Sequence, residues 1–102
     1  MTLYCIRFED NEKYAHMRQA HMNAHLQFLK DHEDVVERAG PLVDATTGLP
    51  AGGMWLVNAD KADSVRHLVE ADPFWATGLR RSVQISEWRF VFPRANRAGA
   101  TR

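Results

Sequence analysis

The sequence has little cysteine, no excess of charge of either sign and no long apolar run. Only Cys5 is present, which excludes an internal disulfide and a multi-cysteine metal site. Acidic and basic residues balance at 13 each, so no positive field favours a nucleic-acid backbone or anionic lipid. The segment Thr2–Ile6 lacks the basic flank and long apolar stretch of a signal peptide or membrane span. We therefore expect a cytoplasmic protein without nucleic-acid or membrane partners.

What is present is typical of one small globular domain. The chain has 102 residues, of which 45% are hydrophobic and 25% are charged, enough for a single thin core. We expect one domain over residues 1–93, followed by a flexible, small and basic C-terminal tail over residues 94–102. Because a thin core leaves apolar surface bare, we also expect a homodimer in which a second copy covers that surface.

The hydrophobic periodicity predicts the element order βαββαβ. Strands are predicted at residues 3–8, about 35–43, 52–58 and 82–92, and helices at about 11–32 and 60–71. This order is the ferredoxin-like α+β arrangement, with both helices on one face of a four-stranded antiparallel sheet. A twofold dimer that packs two such sheets together would bury the other face.

Two local features of the predicted helices follow from residue type and spacing. Asp60 is a candidate N-cap for the second helix. In the first helix, apolar residues recur near helical spacing and are predicted to face the sheet: Met17, Met22, Leu26 and Leu29.

A polar and aromatic stripe on the first helix leaves three interpretations open. Tyr14, Arg18, His21 and His25 follow spacings of four, three and four, which place them along one side of a helix. The stripe can be a solvated face, or it can line a cleft in which a histidine moves a proton and Arg18 holds an anion. The third interpretation makes His21 and His25 a metal pair, although no zincin-type Glu or cysteine cluster accompanies them.

Two further segments also allow both a structural and a functional interpretation. Gly40-Pro41 permits a bulge or a close approach of the backbone to a ligand. Asp72, which Pro73 holds in an extended conformation, either caps a helical turn or supplies a carboxylate. Phe74 and Trp75 either pack in the core or the dimer, or stack on a ligand.

Taken together, these motifs resemble the YCII-related family over about residues 1–93. The resemblance depends on the order and spacing of several short elements rather than on any one of them. These are Arg18, His25-Leu26 with Phe28-Leu29, Ala39-Gly40-Pro41-Leu42, Gly52-Gly53, Ala71-Asp72-Pro73-Phe74 with Gly78-Leu79, and Trp88.

The resemblance implies a dimeric α/β barrel with a histidine and an aspartate paired in a cleft. Carried over by motif, the pair is His25 and Asp72. Many relatives have an arginine three residues before the histidine, where this chain has Met22. Around the pair we expect these substrate-binding residues: Arg18, His21, Gly40, Pro41, Phe74 and Trp75.

The function expected on this basis is cofactor-independent acid/base proton transfer on a small cyclic or aromatic substrate. The reaction would be of the lyase or isomerase type and includes dehydrohalogenation, which the family is reported to catalyse, without a metal. His25 would act as general base or acid, and Asp72 would fix its tautomer. Two alternatives remain: a non-catalytic ligand-binding or accessory dimer, and a haem- or metal-dependent oxygenase on the same fold.

Overall fold

The computed structural model describes residues 1–92, and the predicted tail over residues 94–102 lies outside them. Short 3-10 turns at Glu12–Tyr14 and Trp75–Thr77 precede the first helix and the last strand. The six regular elements are β1 (Thr2–Asp10), α1 (His16–Asp31), β2 (Val36–Val43), β3 (Pro50–Ala59), α2 (Ala62–Ala71) and β4 (Arg80–Glu87). The order confirms the predicted βαββαβ pattern and the ferredoxin-like α+β fold.

The four strands form one antiparallel sheet in the order β2-β3-β1-β4. Ile6 of β1 lies opposite Trp55 of β3 and Ile85 of β4, so these three side chains share one face. That face carries the core, whose buried members are Tyr4, Ile6, Phe8, Trp55, Val57, Ala59, Val65 and Val69. The core therefore lies between the central strands and the helix layer.

The two helices contribute unequally to this core. Val65 and Val69 of α2 are fully buried against the sheet, and each such burial stabilises the fold by about 1.5–3 kcal/mol. On α1 the one buried residue is His25, while Phe28 and Leu29 are half-buried. Leu26, predicted to face the sheet, is 53% exposed. α1 thus covers the sheet loosely along part of its length.

Several predicted element boundaries are wrong by one to five residues. α1 begins at His16 rather than near residue 11, because Asn11 accepts a hydrogen bond from the backbone N–H of Lys13 and starts a separate 3-10 turn. At the start of α2, Lys61 occupies the N-cap position that we assigned to Asp60, and it makes no side-chain capping bond.

The predicted end of β4 is also wrong, because the strand ends at Glu87 rather than at residue 92. The backbone N–H of Trp88 makes a last bond to the carbonyl of Leu3, where β1 has nearly reached its own start at Thr2. Residues 89–92 therefore have no length of β1 to pair with, and Val91 and Phe92 are exposed. In residues 1–92, neither helix is long and apolar enough to cross a membrane.

Candidate active site

A cavity of about 130 Å³ lies where α1 stands over one end of the sheet. Its walls are mainly apolar, with a few charged groups at one side. Its lining residues are Asp10, Arg18, Met22, His25, Leu26, Leu29, Ala39, Gly40, Pro41, Gly52, Gly53, Trp55, Phe74 and Arg80. The volume is close to that of a cavity known to hold benzene, about 150 Å³, so one small ring fits it.

His25 and Asp72 form a buried hydrogen-bonded pair at this cavity. Nδ1 of His25 lies 2.8 Å from Oδ1 of Asp72, and the two residues are 8% and 3% exposed. Because a carboxylate only accepts hydrogen bonds, Nδ1 carries the hydrogen and donates it. The other ring nitrogen, Nε2, then holds a lone pair when the ring is neutral, so it can accept a proton.

The chain places Asp72 at the end of α2. Asp72 is extended, with φ −64° and ψ 133°, because the ring of the following Pro73 disfavours helical backbone at this residue. Its Oδ1 also accepts the backbone N–H of Phe74 at 3.3 Å. Two donors therefore fix this carboxylate oxygen, one from the local turn and one from α1.

Aromatic rings set the orientation of the His25 imidazole. The ring of Phe74 is stacked on the imidazole, with ring centroids 4.1 Å apart. The centroid of the Trp55 ring lies 6.3 Å from that of the imidazole. Stacking restricts rotation of the imidazole, while the bond to Asp72 selects its tautomer. The arrangement presents one defined nitrogen for proton transfer.

Arg80 is a buried cation beside the pair, and sequence reasoning missed it. Its side chain is 7% exposed, with one terminal nitrogen 3.3 Å from Oδ1 of Asp10 and the other 3.7 Å from Oδ2 of Asp72. The guanidinium also lies over the ring of Phe8, 4.0 Å from the centroid. Burial lowers the pKa of the Arg80 guanidinium, and the carboxylates of Asp10 and Asp72 oppose that change. An arginine remains charged under these conditions.

Arg18 continues this row of charges to the rim of the cavity. Its guanidinium contacts Oδ2 of Asp10 at 2.6 Å, and its side chain is 32% exposed. The order across the site is therefore His25, Asp72, Arg80, Asp10 and Arg18, with carboxylates and guanidiniums alternating. Arg18 is the member that an incoming anion can reach.

The structure brings together most, but not all, of the predicted site residues. Arg18, His25, Gly40, Pro41 and Phe74 line the cavity, and Asp72 lies directly behind His25. Two residues of the polar stripe, Arg18 and His25, thus form part of the cavity wall.

Two of the predicted site residues lie elsewhere. His21 is half-buried on α1 and does not line the cavity. Trp75 packs against the core. Met22, which stands where many relatives carry arginine, is itself in the lining.

Asp10 and Arg80 could have been found only from the pairing of strands. They are 70 residues apart in sequence, and they meet because the two residues are partners in the β1–β4 ladder. Nothing in the local sequence around either residue signals this contact.

The described residues 1–92 contain no group of three His, Cys, Asp or Glu side chains placed to hold a metal ion. His21 and His25, the metal pair considered from spacing, do not meet at the cavity, because His25 lines it and His21 does not.

Comparison with solved structures finds a similar fold in a dehydrochlorinase. The 5-chloro-2-hydroxyhydroquinone dehydrochlorinase of Burkholderia phenoliruptrix, solved with 2,5-dihydroxybenzoquinone, superposes with a TM-score of 0.75 and 27% sequence identity. The superposition covers 85% of this chain and 93% of that chain. No curated protein matches the sequence.

The family of this chain is shown by its match to a family model. The model of the YCII-related domain matches residues 2–89, which includes every helix and strand of the described structure. The chain belongs to the YCII-related domain family.

Proposed function

We propose that this protein is a cofactor-independent acid/base enzyme of the lyase or isomerase type that acts on a small cyclic or aromatic compound. The observation that carries the proposal is the 2.8 Å bond between Nδ1 of His25 and Oδ1 of Asp72 at a cavity of one-ring size. A histidine oriented in this way is a general base of the kind that contributes about 10²–10⁴-fold to a rate.

In the proposed reaction, Nε2 of His25 takes a proton from the substrate. The imidazolium that forms is stabilised by the Asp72 carboxylate, which remains ionised. Arg18, at the rim, binds the negative charge that the substrate acquires. The same groups serve an isomerisation, in which the proton returns to a different atom, and an elimination, in which a leaving group departs.

Similarity to a dehydrochlorinase favours elimination of a halide as the reaction. A proton would first move from one ring hydroxyl to the carbon that carries chlorine, which turns that hydroxyl into a ketone. His25 would then take the proton of a second hydroxyl, whose O–H electrons would form a second C=O. The neighbouring ring double bond would shift toward the chlorinated carbon, and the C–Cl electron pair would leave with chloride. The apolar wall of Met22, Leu29 and Trp55 suits the ring of such a substrate.

The proposal is tested by chloride release from 5-chloro-2-hydroxyhydroquinone, the compound that the similar enzyme is named for. We expect turnover by the wild-type protein and a loss of about 10²-fold or more in kcat/KM for His25→Gln and Asp72→Asn. His67→Gln, on the exposed side of α2, is the matched control and should keep wild-type activity. Binding without turnover would instead favour a ligand-binding module, and equal rates in the three variants would refute the His25–Asp72 mechanism.

We also propose that the protein acts as a homodimer through the sheet face that the helices leave uncovered. Leu3, Cys5, Met54 and Leu56 lie on this face, opposite to the core residues of β1 and β3, and each is half-buried. A second copy presenting the same apolar strip would cover it, as in twofold sheet packing.

A further inference from the structure

We propose that Arg80 is a positioning residue that holds Asp72 ionised toward His25 and thereby sets the pH at which the His25–Asp72 pair accepts a proton. The inference rests on the proposed function for its importance to catalysis. Its physical basis is a separate set of contacts.

The two oxygens of Asp72 have different partners. Oδ1 accepts hydrogen bonds from Nδ1 of His25 and from the backbone N–H of Phe74. Oδ2 faces a terminal nitrogen of Arg80 at 3.7 Å. With the carboxylate side chain only 2% exposed, water contributes little to its charge, so Arg80 is the group that compensates it.

The guanidinium of Arg80 is fixed in place by aromatic rings. Its central carbon lies 4.0 Å from the centroid of Phe8 and 5.2 Å from that of Phe74, whose ring is stacked on His25. Its Nε is buried and has no hydrogen-bond partner among the described residues. A buried donor without a partner is unfavourable. The hydrogen bonds of Arg80 therefore do not by themselves explain why it lies here, and we attribute its position to the attraction between its positive charge and the neighbouring carboxylates.

Glycine in β3 leaves room for this cation. A Cβ atom at Gly53 would lie 3.4 Å from a terminal nitrogen of Arg80, a contact tighter than most. The guanidinium thus lies in the space beside Gly53 that a larger side chain would need.

The charges at the pair come from four places and balance when the carboxylate of Asp72 itself is counted. β1 supplies Asp10, α1 supplies Arg18, the end of α2 supplies Asp72, and β4 supplies Arg80. The part of the cavity wall formed by β2 and β3 carries no charged side chain: Ala39, Gly40, Pro41, Gly52, Gly53 and Trp55.

This balance gives two substitutions with opposite expected effects. Removing the positive charge of Arg80 leaves the pair in an excess of negative charge, so it takes up its proton at higher pH. Removing the negative charge of Asp10 leaves an excess of positive charge, so the pair takes up its proton at lower pH. A purely structural role for Arg80 does not produce shifts of opposite sign.

The experiment is an NMR titration that follows the ring nitrogens of His25 and the side-chain carboxyl carbon of Asp72 in the full-length protein. Both nuclei are observed because the proton belongs to the pair. We expect the midpoint of first proton uptake to rise by about one pH unit or more in Arg80→Gln and to fall in Asp10→Asn. Arg80→Lys keeps the charge and should restore a midpoint near that of the wild type.

Arg81→Gln is the matched control. It makes the same substitution one residue along the chain, on a side chain that is 63% exposed and paired with Glu9. Its titration should coincide with that of the wild type. The inference is overturned if Arg80→Gln leaves the midpoint unchanged, or if Arg80→Gln and Asp10→Asn shift it in the same direction. Should Arg80→Gln fail to fold, the direction of the shift in Asp10→Asn decides.

The titration needs no substrate, so it separates this inference from the proposed function. Opposite shifts together with an absence of chloride release would support the role of Arg80 and refute the proposed dehydrochlorination. If turnover is found, the acid limb of the kcat/KM profile should move in the same direction as the NMR midpoint in each variant.

Discussion

The imidazole of His25 lies nearly parallel to the phenyl ring of Phe74, with centroids 4.1 Å apart and planes inclined by 13°. Phe74 follows Asp72 by two residues, so one short segment after α2 supplies both the ring that stacks on His25 and the carboxylate that binds its Nδ1. The orientation and the tautomer of the histidine are therefore set together by a single turn of the chain.

Phe74→Leu removes the stacking ring and keeps an apolar side chain. We expect kcat/KM for chloride release to fall by roughly 10–100-fold, because the imidazole gains rotational freedom while the bond to Asp72 persists. The control is Phe28→Leu, which removes another ring that contacts a histidine, His32, outside the cavity lining. Comparable activity in the two variants would contradict the orienting role of Phe74.

Gly52→Ala should destabilise the fold, whereas Gly40→Ala should not. A Cβ at Gly52 would clash with the carbonyl oxygen of Phe8, and the residue has a φ of +87°. A Cβ at Gly40 would meet no atom within 4 Å. We expect the free energy of unfolding in urea to fall by about 2–4 kcal/mol for Gly52→Ala and by less than about 0.5 kcal/mol for Gly40→Ala. Equal losses would show that the close approach to Phe8 is unimportant.

The loop between β2 and β3 should contribute stability that depends on pH. The backbone N–H of Thr47, and then that of Thr46, donate to Asp44 and lower the pKa of its carboxyl. A carboxyl whose pKa is lowered by folding stabilises the fold above its ordinary value, and this contribution is lost as the pH falls through the lowered value.

Asp44→Ala measures this contribution directly. The difference in free energy of unfolding between the wild type and Asp44→Ala should be constant above about pH 5 and should shrink below about pH 4. Urea unfolding across this range provides the measurement. A difference that grows as the pH falls would have the wrong sign for the contacts described.

Leu56→Lys should weaken the proposed dimer. It places a charge at the centre of the uncovered sheet face, in β3 opposite Cys5 of β1. We expect the wild type to sediment at twice the chain mass and Leu56→Lys to shift toward the monomer. Gln19→Lys, on the exposed side of α1, should behave as the wild type. A wild type that sediments at the mass of one chain would refute the dimer.

The fold could be predicted because each element carries its own periodicity. Apolar and polar residues alternate along β1 and β3, and this pattern alone indicates which face of each strand is buried. In α2 the spacing of Val65 and Val69 indicates the buried side of the helix in the same way. The end of β4 could not be predicted in this way. The apolar run from Trp88 to Phe92 has the composition of a strand, but the pairing of β4 with β1 stops near the N-terminal end of β1.

The residues of the candidate site likewise fall into those that local sequence indicates and those that depend on how the strands pair. His25 and Asp72 could be singled out from short motifs, and Arg18 from its helical spacing of seven residues to His25. Asp10 and Arg80 depend on the register between the first and last strands, which no local pattern encodes. Leu26, which its spacing predicted to pack on the sheet, lines the cavity instead and is 53% exposed.

The most direct test of the account is the protonation state of the His25 ring nitrogens, observed by ¹⁵N NMR with and without 2,5-dihydroxybenzoquinone. We expect a hydrogen on Nδ1, a lone pair on Nε2 in the neutral ring, and a change at Nε2 when the ligand binds. Asp72→Asn should disturb the tautomer, because an amide can present a donor to Nδ1 where the carboxylate only accepts. A hydrogen on Nε2 in the neutral wild type, or binding that leaves Nε2 unchanged, would contradict the role given to His25.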